Sequence, residues 1–377
     1  MRLRRLPQTA ALSLLFGPPL LLCQSSAPPA TQVAAAARNA AAESTLPAIP
    51  AATPTARPAA KDPSAPSRVL FFYTAPRSTV EMEVHTVPPT DEARLDHLRE
   101  AFHWANCGGE QMQEQAVTDK HGDRGTNLIC TWPGERPGEP GSSGANNGTI
   151  VIAAHYERGG QGEGALADWS GAALLPFLYQ SIQGQARENT FVFIESWKNE
   201  GVQTWLKSLS REQRKRILAM IDLDALGLGI TRYFTTFSFM ETTPPAALHL
   251  QLELLWAAID DGLTKPPEQT SPHHWLSVDG TNPFRAIMIP TIVIHSVPPE
   301  SAHIPGSAAD TAAAVDGNAY FQTYHLICTY LASLDRMAKR LDRANDPFWR
   351  AIPGKDAQPD DESPRITFRR MGGVMTH

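Results

Sequence analysis

The sequence predicts an α/β domain, a three-layer α/β/α sandwich on a mixed sheet with a parallel centre. Two observations carry that expectation. "TIVIAAH" (149–155), "NTFVFIE" (189–195), "AMIDLDALG" (219–227) and "PTIVIH" (290–295) are near-continuous apolar runs of strand length. Such runs mark strands covered on both faces. Helical patterns separate them, and strand–helix alternation places helices on both sides of a sheet. Nothing repeats at a fixed period, so a solenoid is excluded.

The elements follow in order. "SRVLFFYT" (67–74) reads as a buried strand, and "VEMEVHTV" (80–87) alternates like a half-exposed one. Thr90 caps a helix with Asp91 and Glu92 in its first turn, where the helix dipole favours acids. Leu95, Leu98 and Phe102 form its apolar stripe, and Gly108 ends it. "NLICTW" (127–132) is a strand, followed by the turn-rich loop "PGERPGEPGSSGANNG". "SGAALLPFLYQSI" (170–182) is a helix bent at Pro176. Ser210 and Gln213 make a capping box for the next helix. Tyr324, Ile327, Cys328, Leu331 and Leu334 stripe the last one.

The flanks differ in composition. Arg2, Arg4 and Arg5 precede a short apolar stretch broken by Gly17, Pro18 and Pro19, the order of a secretory leader over residues 1–27. The stretch is too short to span a bilayer as a helix. Ser25-Ser26-Ala27 offers a cleavage exit, and Cys23 offers a lipoprotein anchor. The expectation is therefore an exported chain, periplasmic or extracellular, soluble or lipid-anchored. Residues 28–66, dominated by Ala, Pro, Ser and Thr, read as a flexible linker. The folded domain is expected over 67–336 and a loose, Pro- and charge-rich tail over 337–377. Net charge is −6, and more negative once the leader arginines are removed, which excludes nucleic acid as a partner. In an oxidising compartment Cys107 and Cys130 are a candidate disulfide, and Cys328 is expected to be a buried thiol.

The chemistry-bearing residues fall where strands end. His155 closes one strand, Glu195 to Glu200 follow the next, and Asp222 and Asp224 close a third. Asp168 opens the intervening helix, and a loop after the last strand supplies His303. Ligands of parallel sheets collect at the strands' carboxyl ends. Imidazole and carboxylate side chains converging there suit a hydrolytic zinc site. Taken singly, each has a plainer role: Asp168 can cap a helix, and Glu200 can be a solvated loop acid.

At these residues, over about 67–335, the sequence resembles the M28 family of zinc aminopeptidases. "IVIAAHYE" is similar to the family's strand ending in a metal-binding histidine, here His155. "ADWSGAALLPFL" is similar to its helix opened by a bridging aspartate, here Asp168. "AMIDLDALGLG" resembles its third motif, with Asp224 as ligand and Asp222 in reserve. The family pairs two glutamates at the next strand end, a general base and then a ligand. "FIESWKNEG" admits two fits: Asn199 at the base position with Glu200 as ligand, or Trp197 and Lys198 in those places. The first is preferred because it keeps a carboxylate. Under either fit the base is missing, and an amide cannot replace it near neutral pH. The family's last histidine falls at Gly306, with His303 three residues earlier, and Glu157 stands where a second-shell aspartate orients the first histidine. "SPHHWL", with His273 and His274, fits no motif and reads as loop surface.

The resemblance implies a zinc-dependent aminopeptidase-like hydrolase acting on peptide amino termini. It would hold one or two zinc ions on His155, Asp168, Glu200, Asp224 and His303, with activity impaired at the base position. The alternative is a catalytically inactive pseudo-peptidase that binds a peptide or protein. A glutaminyl-cyclase-like acyl transfer on the same fold is a third reading, ranked last because it too calls for the missing glutamate.

Overall fold

The computed structural model describes residues 53–56, 71–135, 148–235, 245–271, 283–284 and 287–337. The stretch expected as a leader, with Cys23, most of residues 28–66, His273-His274 and residues 338–377 lie outside the described residues.

Eight strands form one sheet: β3 (Met112–Thr118), β4 (Arg124–Trp132), β5 (Thr149–His155), β6 (Thr190–Ser196), β7 (Ile217–Leu223), β8 (Arg232–Thr235), β9 (Glu268–Gln269) and β10 (Thr291–His295). Their spatial order is β3-β4-β6-β5-β7-β10-β8-β9. The centre, β6-β5-β7-β10, is parallel, while β3, β4 and β8 pair antiparallel to their inner neighbours. A mixed sheet with a parallel core is the architecture the apolar runs predict. Within the stretch expected as linker, β1 (Thr53–Ala56) pairs antiparallel with β2 (Phe71–Thr74).

Alternation along β5 sorts the two faces. Ile150, Ile152 and Ala154 point to the larger core. That core is closed by α1 (Arg77–His85), α2 (Asp91–Trp104), α4 (Leu175–Ser181), α7 (Pro245–Asp260) and α8 (Gly317–Met337). Val151 and Ala153 point the other way, against Val202, Trp205 and Leu206 of α5 (Lys198–Ser208). Helices on both faces complete the three layers.

Local rules explain most elements. Thr90 caps α2, its hydroxyl accepting the Ala93 N–H at 3.1 Å. Ser210 and Gln213 exchange both bonds of a capping box at the start of α6 (Arg211–Arg216). The helix expected over 170–182 is split into α3 (Ser170–Ala172) and α4, with Pro176 in the first turn of the second part. Proline is tolerated there because that N–H has no partner to lose.

One element differs in kind. Residues 80–87 were expected as a strand, but Val80, Glu83 and Val84 are the buried positions of helix α1. That spacing is helical, and Met82, which a strand would place beside Val80 and Val84, is 43% exposed. The apolar alternation was a coincidence of composition in a segment rich in helix formers.

Candidate functional site

The sheet's register aligns a polar row along its carboxyl edge. Ser196 pairs with His155 across β6 and β5. Leu223 pairs with both Ala154 and Ile294, so Asp224, one residue on, comes level with His155 and His295. Its N–H donates to the Ile294 carbonyl at 3.0 Å. His295 in turn pairs with Arg232, and Arg232 with Glu268. Asp222 lies two residues behind Asp224 and shares its face.

Burial makes this row costly and reactive. His155, Asp222 and Asp224 are all buried. Among the described residues the His155 Nε2, both Asp222 oxygens and the Asp224 Oδ2 have no hydrogen-bond partner. Burial pulls the His155 pKa down, but Glu157, whose Oε2 lies 3.6 Å from the Nδ1, together with Asp168 and Asp222, pushes it up to about 10. Burial raises Asp222 to about 6 and, with the charge of Asp222, Asp224 to about 7. Burial and then Glu157 hold Asp168 well above the usual carboxylate range. Glu157 moves the other way: burial opposes its charge, but His155 beside it lowers its pKa. His155, Glu157, Asp168, Asp222 and Asp224 thus form one electrostatically linked group.

The loop from His155 to Asp168 is braced by two residues that the sequence reading passed over. Arg94 is fully buried on α2. Its guanidinium donates to the carbonyls of Tyr156, Glu157, Glu163 and Gly164 at 2.5–3.2 Å, and its Nε to that of Pro88. Asp310 ties the same loop by its amides, accepting from Leu166 at 2.7 Å and Ala167 at 3.1 Å, just before Asp168. Arg94 could have been noticed as an arginine one turn before Leu98, on the buried stripe of α2.

The neighbouring strand end carries "WKNEG". Strand β6 ends at Ser196, and Trp197 and Lys198 follow directly. The Lys198 N–H donates to Glu157 Oε2 at 3.1 Å, and its ammonium turns away to Asp119 at 2.8 Å. Asn199 and Glu200 lie beyond, in the first turn of α5. The turn is fixed by Asn127, whose Oδ1 accepts the Trp197 N–H, and by Ser196, whose Oγ accepts the Val202 N–H. A Cβ on Gly201 would meet those two side-chain oxygens at 2.2 and 2.4 Å. The backbone N–H that meets Glu157 belongs to Lys198; Trp197 and Lys198 enter this turn, and Asn199 and Glu200 begin the helix.

His303 is exposed in the turn before Gly306. Gly306, at φ +74°, is the residue that meets the Asp168 loop: its carbonyl accepts the Gln161 N–H at 3.0 Å, and its N–H donates to Asp310 at 2.8 Å. Cys107 and Cys130 form a disulfide. Cys328 is a buried thiol, its pKa pushed by burial to about 12. Among the described residues no helix is long and apolar enough to cross a membrane.

The unpartnered imidazole nitrogen and carboxylate oxygens have the donor chemistry zinc takes. The assembled geometry does not follow. Among the described residues no group of three or more His, Cys, Asp or Glu side chains is placed to hold a metal ion.

No protein-family model matches this sequence, and no curated protein matches it. Solved structures do. A zinc aminopeptidase from Bacillus subtilis aligns at 15% identity and TM-score 0.46, over 56% of this chain and 50% of its own, so the chain spans about half that protein's length. The Legionella pneumophila LapA aminopeptidase aligns at 14% identity and TM-score 0.53, over 70% of this chain and 71% of its own. Fimbriiglobus ruber glutaminyl cyclase aligns at 14% identity and TM-score 0.52, over 68% and 94%. The chain shares the α/β fold of the LapA aminopeptidase and the glutaminyl cyclase.

Proposed function

We propose that the domain is an M28-type, zinc-aminopeptidase-like protein that recognises peptide amino termini and whose hydrolytic step is impaired. One observation carries the reading. His155, Asp222 and Asp224 are buried at the strands' carboxyl ends, with half-buried Asp168 opening the helix beyond, while the turn after the next strand runs Trp197, Lys198, Asn199, Glu200 and has no adjacent carboxylate pair. His155, Asp168 and Asp224 carry the imidazole and carboxylate donors that zinc takes, without being placed as a three-ligand set.

The chain's own residues then limit the chemistry. Proton abstraction from water needs a free carboxylate of suitable basicity. Glu157 is occupied by the Lys198 N–H and His155, and its lowered pKa makes it a weak base. Glu195 alternates onto the opposite sheet face from Ser196. An acidic lining at the strand ends suits a substrate's ammonium group. The leader and the Cys107–Cys130 disulfide support export to an oxidising compartment.

The test is zinc content by atomic spectroscopy, with aminoacyl-anilide hydrolysis on the same sample. The expected result is at most one ion per chain and turnover roughly 10²–10⁴-fold below that of a base-competent aminopeptidase. Two ions with full turnover would overturn impairment. The second reading, a binding module without catalysis, is favoured by the Lys198–Asp119 ion pair and by Gly306 at the histidine position. It predicts peptide binding with neither zinc nor turnover.

A further inference from the structure

Five large apolar side chains among the described core and surface residues are exposed, and three of them share one helix. On α7, Leu252 is 40%, Trp256 53% and Ile259 63% exposed. Their spacing of four and then three residues places them on a single stripe. Isolated apolar residues on a surface are ordinary, but a continuous row of this size marks a contact. The opposite side of α7, with Leu250, Leu254, Ala257 and Ala258, already packs into the core.

The course of the chain says what lies nearest. Helix α8 runs antiparallel to α7: Thr329 bonds Asp261, Tyr330 bonds the Leu250 carbonyl, and Ser333 bonds Glu253. Met337, the last described residue, is therefore about one turn past the level of Glu253, beside the start of the stripe. Forty residues follow it. The first aromatics among them are Phe348 and Trp349 in "DPFWRAI" (346–352), with Ile352 close behind. Ten residues of extended chain reach up to roughly 33 Å, whereas Leu252 to Ile259 spans only about 10 Å. Charge agrees with this placement. Helix α7 has no lysine or arginine, while 338–350 carries Lys339, Arg340, Arg343 and Arg350 against Asp342 and Asp346. The nine residues before α7, tethered at the same end of the helix, are a poorer fit on charge, because they carry Glu241 and neither lysine nor arginine.

We propose that the C-terminal segment 346–352 docks on α7, with Phe348, Trp349 and Ile352 covering Leu252, Trp256 and Ile259. The segment is the chain's own clasp, independent of the strand-end site.

Hydrogen exchange on the full chain tests it. Replacing Phe348→Ser together with Trp349→Ser is expected to speed exchange of the α7 amides by about tenfold, as local protection is lost. A synthetic peptide of residues 338–356, added in trans, is expected to restore it. From the other side, Trp256→Ser is expected to hasten trypsin cleavage after Arg343 and Arg350. Unchanged exchange in the tail variant overturns the proposal. So does α7 protection that depends on protein concentration and ignores the tail, which would assign the stripe to a second copy.

Discussion

Arg94 shows how one buried side chain can set the shape of a site it does not enter. Its charge is spread over five carbonyls, four of them in the loop joining His155 to Asp168. Arg94→Met keeps the volume and strands those acceptors. We expect a stability loss of about 3 kcal/mol or more, read by urea unfolding, because orphaned buried polar groups pay their full desolvation cost. Arg94→Lys should recover only part of it, since an ammonium lacks the planar fork. A loss under 1 kcal/mol in the methionine variant would show that the loop stands without this brace. A second expectation concerns Asn199. Because Lys198 is the residue bonded to Glu157, Asn199→Glu should change anilide hydrolysis by less than about tenfold, below the usual range for general-base help. A larger gain would place Asn199 at the base position. Single residues with local rules were legible in the sequence: the Thr90 cap and the Ser210–Gln213 box need only a few neighbours to be recognised. Lys198 was not, because the point where β6 stops is decided by Asn127 and Ser196, which no motif announces.

The turn between β6 and α5 depends on the absence of a side chain at Gly201. Asn127 reaches it from β4, its Nδ2 donating to the Gly201 carbonyl at 2.8 Å while its Oδ1 takes the Trp197 N–H. A methyl group there would collide with the Asn127 amide and the Ser196 hydroxyl, both buried and already bonded. Gly201→Ala should therefore cost about 1–3 kcal/mol by overpacking, seen as a lower urea midpoint with an unchanged slope. A neutral variant would show that the turn relaxes freely. Elements with a long-range cause were the hard ones to read. The strands buried on both faces declare themselves by composition, and β5 was found to the residue. Helix α1 was misread because its nine residues hold too few apolar positions to separate a period of 2 from 3.6. Strand β3 is polar and intermediate or exposed along most of its length, so pairing with β4 rather than its own pattern defines it.

Across the whole molecule, the polar row at the sheet's carboxyl edge couples the site to global stability. The sequence located His155, Asp222 and Asp224 as strand ends, but not that His295 and Arg232 continue the same line, since register between distant strands is a property of the assembled sheet. His295 is fully buried; its Nδ1 accepts the Val297 N–H and its Nε2 meets the Thr270 hydroxyl at 2.9 Å. Burial first, and the Arg232 charge second, lower its pKa from 6.5 to about 3. The folded chain thus keeps His295 neutral over a range in which the unfolded chain protonates it. Between pH 6.5 and about 3 the unfolded state binds the extra proton, so the stability that neutral His295 contributes is present above 6.5 and lost as pH falls. One group can supply at most about 1.4 kcal/mol per pH unit. The difference between the native chain and His295→Gln, which does not titrate, isolates this contribution from the carboxylates of the same row. Urea unfolding of both proteins from pH 7 to pH 4 should show their stabilities converging, or crossing, as the pH falls. Parallel curves would mean that His295 gains a proton inside the fold, and that this end of the row is open to water.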